Sequence, residues 1–218
     1  GAAASPAGGL IPPGVPESGD GDFRTVGGTL LDSDPGHREE LIQEARALLR
    51  EAGYADARDL GALEYLYVDE GAAGAVARVA TESLQSALGI QASARAVTEE
   101  EFSAALDAGD FTLAGMEFRP AGSDAESYLM AWGSGREENA ARYANSAYDM
   151  LLSIIAGAED AAARLGCLHD AEAMLLEDGA LAPLYTTVTA WTLREDYAGV
   201  RRDSRGWFDF TAAVPRGE

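Results

Sequence analysis

Cys167, His169 and Glu172 are the closest this sequence comes to a reactive centre: a thiol, an imidazole and a carboxylate on one predicted helix. They could serve as metal ligands or as an activated thiol nucleophile. A helix turns about 100° per residue, so Cys167 and His169 leave it on different sides and cannot share a ligand. His169 and Glu172 can meet, but two ligands do not make a metal site. The plainer reading is a neighbouring His–Glu pair, with Cys167 packed as a small apolar group. The loop Gly133-Ser134-Gly135 follows a helix and lacks a third spaced glycine, so it is no dinucleotide cradle. The chain has no lysine, which excludes a P-loop, a Schiff-base lysine and a kinase lysine. With only two histidines, His37 and His169, neither an HExxH helix nor a three-histidine zinc site can form. Among 37 acidic residues some pair always falls at glycosidase spacing, so that signal is empty. No catalytic residue, metal or cofactor is expected.

The remaining bulk signals concern partners. All 16 basic residues are arginine, and the net charge is −21. So acidic a surface repels phosphate backbones and anionic lipid, which argues against nucleic acid and membrane-surface partners. The excess charge reads as a solvated surface, or more sharply as steering of cationic ligands. No apolar run approaches the roughly 18 residues a bilayer span needs; 150–158 is among the longest. Residues 1–10 lack the basic start and apolar core of a signal peptide, so the N-terminus reads as a mature or truncated end. A single cysteine rules out an internal disulfide.

The elements follow from periodicity and punctuation. Residues 1–28, rich in Gly, Pro, Ala and Ser, read as an extended surface segment that cannot be helical, and 1–34 as a lead-in to a domain at 35–218. Asp34-Pro35 starts a helix with Leu41, Ala45, Leu48 and Leu49 on one face, stopped at Gly53. Residues 63–68 (LEYLYV) read as a strand. Residues 72–88 read as a helix facing inward through Val76, Val79, Ala80, Ser83, Leu84 and Ala87. A second strand at 90–97 precedes a capping box formed by Thr98 and Glu101, and 111–118 reads as a third strand. That order demands an α/β sheet with right-handed crossovers. Further on come a short helix at 125–132, a polar loop at 133–138 and a helix capped by Ser146. A helix at 160–177, a strand at 181–193 and an irregular final twenty residues complete the chain.

Laid in this order, the segments carry a resemblance. EARALLREAGY at 44–54 resembles the "AKKLLAEAGY" helix of the family 5 extracellular solute-binding proteins, the oligopeptide-binding group. LEYLYVDE at 63–70 is similar to the strand that follows there. SLQSALGIQASARAV at 83–97 is similar to the "LKxxLGIxVxL" element, and EEEFSAALDAGDFTLAGMEF at 99–118 to the "F…GxFD…GW" element. Asn139 to Tyr143 with Asn145, Tyr148 and Asp149 resemble the "N…Y.N..YD" signature. Residues 160–177 with Leu181-Ala182-Pro183-Leu184-Tyr185 resemble the "iPLY" ending. The likeness covers about residues 6–210.

The resemblance implies the C-terminal lobe of a type II periplasmic-binding-protein-like fold, a mixed α/β sheet flanked by helices, about half or less of a two-lobe protein. It implies capture of a peptide or other small solute for an ABC importer without catalysis, partnership with the permease subunits, and an extracytoplasmic, lipoprotein-like location. The alternative is a sensor or scaffold lobe with a degenerate pocket. In the family an extended peptide lies between lobes, held by strand-like main-chain hydrogen bonds. The implied contacts are Glu117, Phe118 and Arg119 at the third strand's end, Val68 and Asp69 at the first strand's end, and Thr187. The family's peptide binders anchor a ligand amine through an aspartate where this chain has Ala121, and Phe118 stands where a tryptophan is usual. A buried ammonium without a partner costs several kcal/mol, so Ala121 should not receive one. Asp124 or Glu117 could take its place. Arg119 reads either as a surface ion pair or as a bidentate ligand for a carboxylate. Trp132, Trp191 and Trp207 read as core or interface anchors, and Asn139, Tyr143 and Tyr148 as residues that fix the loop before the Ser146 helix.

Overall fold

The structure, a computed structural model, describes residues 3–17, 21–188, 192–202 and 207–216. Its chain order begins with β1 (Ala3–Pro6), α1 (Phe23–Gly27), α2 (Arg38–Glu51), β2 (Ala62–Val68), α3 (Ala73–Ser83), β3 (Gln91–Val97), α4 (Glu99–Ala108) and β4 (Leu113–Gly115). It continues with α5 (Ala125–Met130), α6 (Ser146–Gly157), α7 (Ala161–Glu177), β5 (Tyr185–Val188) and the two-residue strands β6 (Tyr197–Ala198), β7 (Arg201–Arg202), β8 (Phe208–Asp209) and β9 (Val214–Pro215). The chain groups into two units, one contiguous (Asp34–Phe118) and one split (Gly1–Ser33 with Arg119–Glu218).

The contiguous unit is built on three parallel strands in the order β3-β2-β4. Strand β2 is central and places Leu66, 1% exposed, in its core. The Thr98–Glu101 capping box forms as the sequence requires: the Glu101 N–H donates to Thr98 Oγ1 at 3.2 Å, and the Thr98 N–H to Glu101 Oε2 at 2.9 Å. The third strand is shorter than expected, three residues rather than 111–118. The helix expected at 72–88 ends in a π-helical turn at Leu84–Leu88. A π turn displaces carbonyls from the regular ladder. Here the Arg46 guanidinium donates twice to Ala87 O, at 3.0 and 2.6 Å, and the Gln85 amide donates to Ala92 O at 2.5 Å. The buried face of α3 also differs from the expected one: Ala77 and Thr81 are buried, whereas Val79 and Ser83, expected inward, are exposed. On α2, likewise, Leu41 and Leu48 lie outward, and the covered side runs through Ile42, Ala45 and Leu49.

The split unit revises the reading of the first 28 residues. Ile11, Val15 and Phe23 are fully or almost fully buried, and α1 forms one helical turn capped by Asp22, whose carboxylate accepts the Thr25 N–H at 3.0 Å. Proline-rich backbone here carries three core side chains. Charge is buried with them. Arg24 donates to Glu172 Oε1 and, at 3.1 and 2.8 Å, to Ile11 O and Gly28 O; Glu172 Oε1 also accepts the Ile11 N–H at 2.8 Å. Gly9 makes this network possible. A Cβ there would stand 2.6 to 2.7 Å from the Arg24 guanidinium and the Glu172 carboxylate. Glu172 therefore answers to Arg24 rather than to His169. The His169 ring stacks on Phe23 with centroids 4.0 Å apart, and its Nε2 lies 3.4 Å from Glu17 Oε2. Cys167 is half-buried.

Helices α6 and α7 pack together with α5 through Leu129, Tyr148, Leu152, Ile155, Leu168 and Leu175. Asn145, not Ser146, caps α6, its Oδ1 accepting the Ala147 N–H at 2.9 Å. Asn139 fixes the preceding loop, as expected. Its amide nitrogen lies 3.2, 3.1 and 2.8 Å from the carbonyls of Trp132, Gly133 and Tyr143, and its oxygen accepts the Tyr143 N–H at 3.0 Å. Trp132 is core; Trp207 is 75% exposed; Trp191 lies outside the described residues, as does part of the expected strand at 181–193. That strand appears as β5, antiparallel to β1. Two short ribbons, β6–β9 and β7–β8, order stretches of the final segment expected to be irregular.

Two solution properties follow. With a net charge of −21, self-repulsion should destabilise the fold at low ionic strength. Raising salt from about 0.01 M to about 1 M contracts the Debye length from about 30 Å to about 3 Å. The melting temperature should climb over that range and level off; a flat profile would mean that the charges are too dispersed to matter. The second property is pH dependence around α6. Hydrogen bonding from Ser134 holds Asp149 below the usual aspartate range, and hydrogen bonds from Tyr143 and Asn145 do the same for Asp178. Burial, with the Asp178 hydrogen bond and charge, pushes the Tyr143 phenol up to about 12. A depressed carboxyl contributes stability above its unfolded value, so that contribution should fade as pH drops below about 4. A raised phenol favours the fold below its unfolded value near 10, and that contribution should fade from there towards about 12. Urea midpoints measured against pH check both limbs, and Asp178→Asn should shrink both.

Candidate functional site

All three strands of the contiguous unit are parallel, so their C-terminal ends share one edge, the side on which open α/β sheets place ligands. Strand β2 ends at Val68, half-buried, and Asp69 follows, exposed. Strand β4 ends at Gly115, and the chain continues through Met116, 47% exposed, to exposed Glu117 and half-buried Phe118. The ladder's last pair is Tyr67 with Gly115, and Asp69 and Glu117 each lie beyond the paired residues. Val68, Asp69, Glu117 and Phe118 thus close or follow two parallel strands at the same end of the sheet.

The other expected residues belong to the split unit. Arg119 and Ala121 are exposed on the loop entering α5. Asp124 sits on that loop too, but its carboxylate is engaged. It caps α5, accepting the Ser127 N–H at 2.9 Å and the Ser127 hydroxyl at 3.2 Å. Thr187 is exposed on β5, paired with Ala4 of β1, away from that loop in sequence and element.

Sequence reasoning missed the aromatic pair behind the edge. Tyr65 and Tyr67, both half-buried on β2, have ring centroids 6.5 Å apart and planes tilted by 52°. The available signal was Gly115, since an isolated glycine in a strand pattern marks a close approach. Among the described residues no group of three or more His, Cys, Asp or Glu could hold a metal ion, and no helix is long and apolar enough to cross a membrane.

Residues 1–140, which include this whole strand edge, match the family model of the bacterial extracellular solute-binding proteins, family 5 Middle. The chain belongs to that family. The dipeptide-binding protein DppE of Bacillus subtilis (strain 168) is 24% identical over 204 residues, 94% of this chain and 36% of that protein. The probable deoxycholate-binding periplasmic protein YgiS of Escherichia coli (strain K12) is 30% identical over 146 residues, 67% of this chain and 27% of that protein. Among solved structures, the substrate-binding domain of an oligopeptide ABC transporter from Bacillus anthracis str. Ames superposes with a TM-score of 0.71 at 21% identity, covering 98% of this chain and 41% of that one. The chain therefore spans roughly a third of the length of the curated relatives it matches. The α/β arrangement of sheet and flanking helices is the fold of this solute-binding family member.

Proposed function

We propose that this chain is the C-terminal lobe of a two-lobe, type II binding protein that captures a peptide or other small solute outside the cytoplasm and delivers it to an ABC importer's permease subunits, with no catalysis. The observation that carries this reading is the parallel strand edge of Val68, Asp69, Met116, Glu117 and Phe118, in a chain whose family captures extracellular solutes. A strand exit that carries exposed residues suits recognition of an extended ligand through main-chain hydrogen bonds, with side chains setting tolerance. The relatives' names, dipeptide-binding and deoxycholate-binding, span ligands with and without a free amine. Ala121, which carries no charge, favours a solute not anchored by an ammonium at that position, and Arg119 on the same loop is a cation of the kind that suits a carboxylate.

The test is a thermal-shift screen on the longest natural polypeptide carrying this sequence, against short peptides, bile acids, nickel chelates and sugars. Anionic or carboxylate-bearing solutes should raise the melting temperature, and Arg119→Ala should abolish the rise. If no class shifts it, the capture reading fails. A sensor or scaffold lobe with a degenerate pocket, which exposed Ala121 also suits, would then take its place.

A further inference from the structure

The strand edge contains a contact that solute binding does not itself require. In the β2–β4 ladder Tyr65 pairs with Leu113 and Tyr67 with Gly115. Yet the Tyr65 ring leans two residues towards the C-terminal end and lies on Gly115. A Cβ at that position would stand 2.5 Å from ring atoms Cε1 and Cζ, and closer still to the phenol oxygen. Tyr67 is tilted beside the ring, and Tyr67 in turn meets Gly74 of α3, where a Cβ would lie 3.5 Å from its hydroxyl. Gly115 is also the last laddered residue of a three-residue strand, so the chain beyond it is the softer side of the contact.

We infer that Tyr65 and Gly115 are a positioning pair: the ring resting on the bare backbone fixes the direction in which Met116, Glu117 and Phe118 leave the sheet. Its bearing on solute contact rests on the capture reading above. A side chain at position 115 would drive the strand exit away from the ring rather than unseat the ring.

Amide spectra of the 218-residue chain test this, using wild type, Gly115→Ala, Tyr65→Phe, Tyr65→Ala and the double variant Tyr65→Ala/Gly115→Ala. Gly115→Ala should displace the amides of Met116, Glu117 and Phe118 while leaving those of β3 in place. Tyr65→Phe, which keeps the ring, should leave the exit unmoved. The double variant should match Tyr65→Ala alone, because the alanine then meets no ring. The inference is overturned if Gly115→Ala leaves the three amides where they are, or displaces them equally with and without the ring. Should Gly115→Ala fail to fold, a folded spectrum from the double variant supports the pair, and its absence overturns it. Trialanine titrated into the longest natural polypeptide carrying this sequence is a separate readout: failure to bind counts against peptide capture and leaves the positioning result standing.

Discussion

Arg24→Met should destabilise the protein by about 3–5 kcal/mol, the usual cost of stranding one member of a buried ion pair. Arg24 is 7% exposed and Glu172 fully buried, so removing the guanidinium leaves a carboxylate with the Ile11 N–H and no charge partner. It also frees the Ile11 and Gly28 carbonyls from the donors that satisfied them. The companion Glu172→Leu should cost a similar amount for the mirror-image reason. The double variant should recover much of the loss, because a well-packed apolar pair avoids the desolvation both charges require. Urea midpoints for the four proteins form the cycle. A single-variant cost under about 1 kcal/mol would show that water reaches Glu172 and that the network adds little to stability.

The second large effect is expected at Asn139. Its amide faces three carbonyl oxygens, so Asn139→Asp would set a carboxylate among acceptors in a site 6% exposed. Leaving buried acceptors unpaired costs about 1–3 kcal/mol, and more where a charge is involved. Asn139→Leu removes the hydrogen bonds without adding charge. The expected order of stability at neutral pH is therefore wild type, then leucine, then aspartate. Acid should narrow the gap between the last two, since a protonated carboxyl can donate to one carbonyl. Aspartate proving no worse than leucine would mean that the loop has re-formed around it.

Local signals were legible in the sequence and distant ones were not. The capping box at Thr98 and Glu101 needs only four residues, and it forms as written. The order of strands and helices from α2 to β4 was legible for the same reason, and with it Val68 at the end of β2; the third strand closes at Gly115, two residues before Glu117. Asp124 was legible as well, because aspartate three residues before Ser127 is a cap pattern, but its likeness to a ligand anchor drew the reading elsewhere. On α2, periodicity offered two overlapping apolar stripes, and only packing chose Ile42 and Leu49 over Leu41 and Leu48. The lead-in was misjudged through composition: prolines and glycines masked Ile11, Val15 and Phe23, whose burial depends on residues far along the chain. Glu172 was paired with His169 for want of any sequence signal from Arg24, 148 positions away.

That separation has a consequence for biosynthesis. The Ile11 amide and the Arg24 guanidinium must wait for Glu172 to emerge from the ribosome, positions 161 and 148 later. At about 5–20 residues per second the wait is on the order of 10–30 s. The intervening Asp34–Phe118 unit is contiguous and can acquire its sheet during that interval. Until Glu172 is available the N-terminal segment holds three large apolar side chains and an arginine with no finished shelter, so early chaperone capture should govern the yield of properly folded chains.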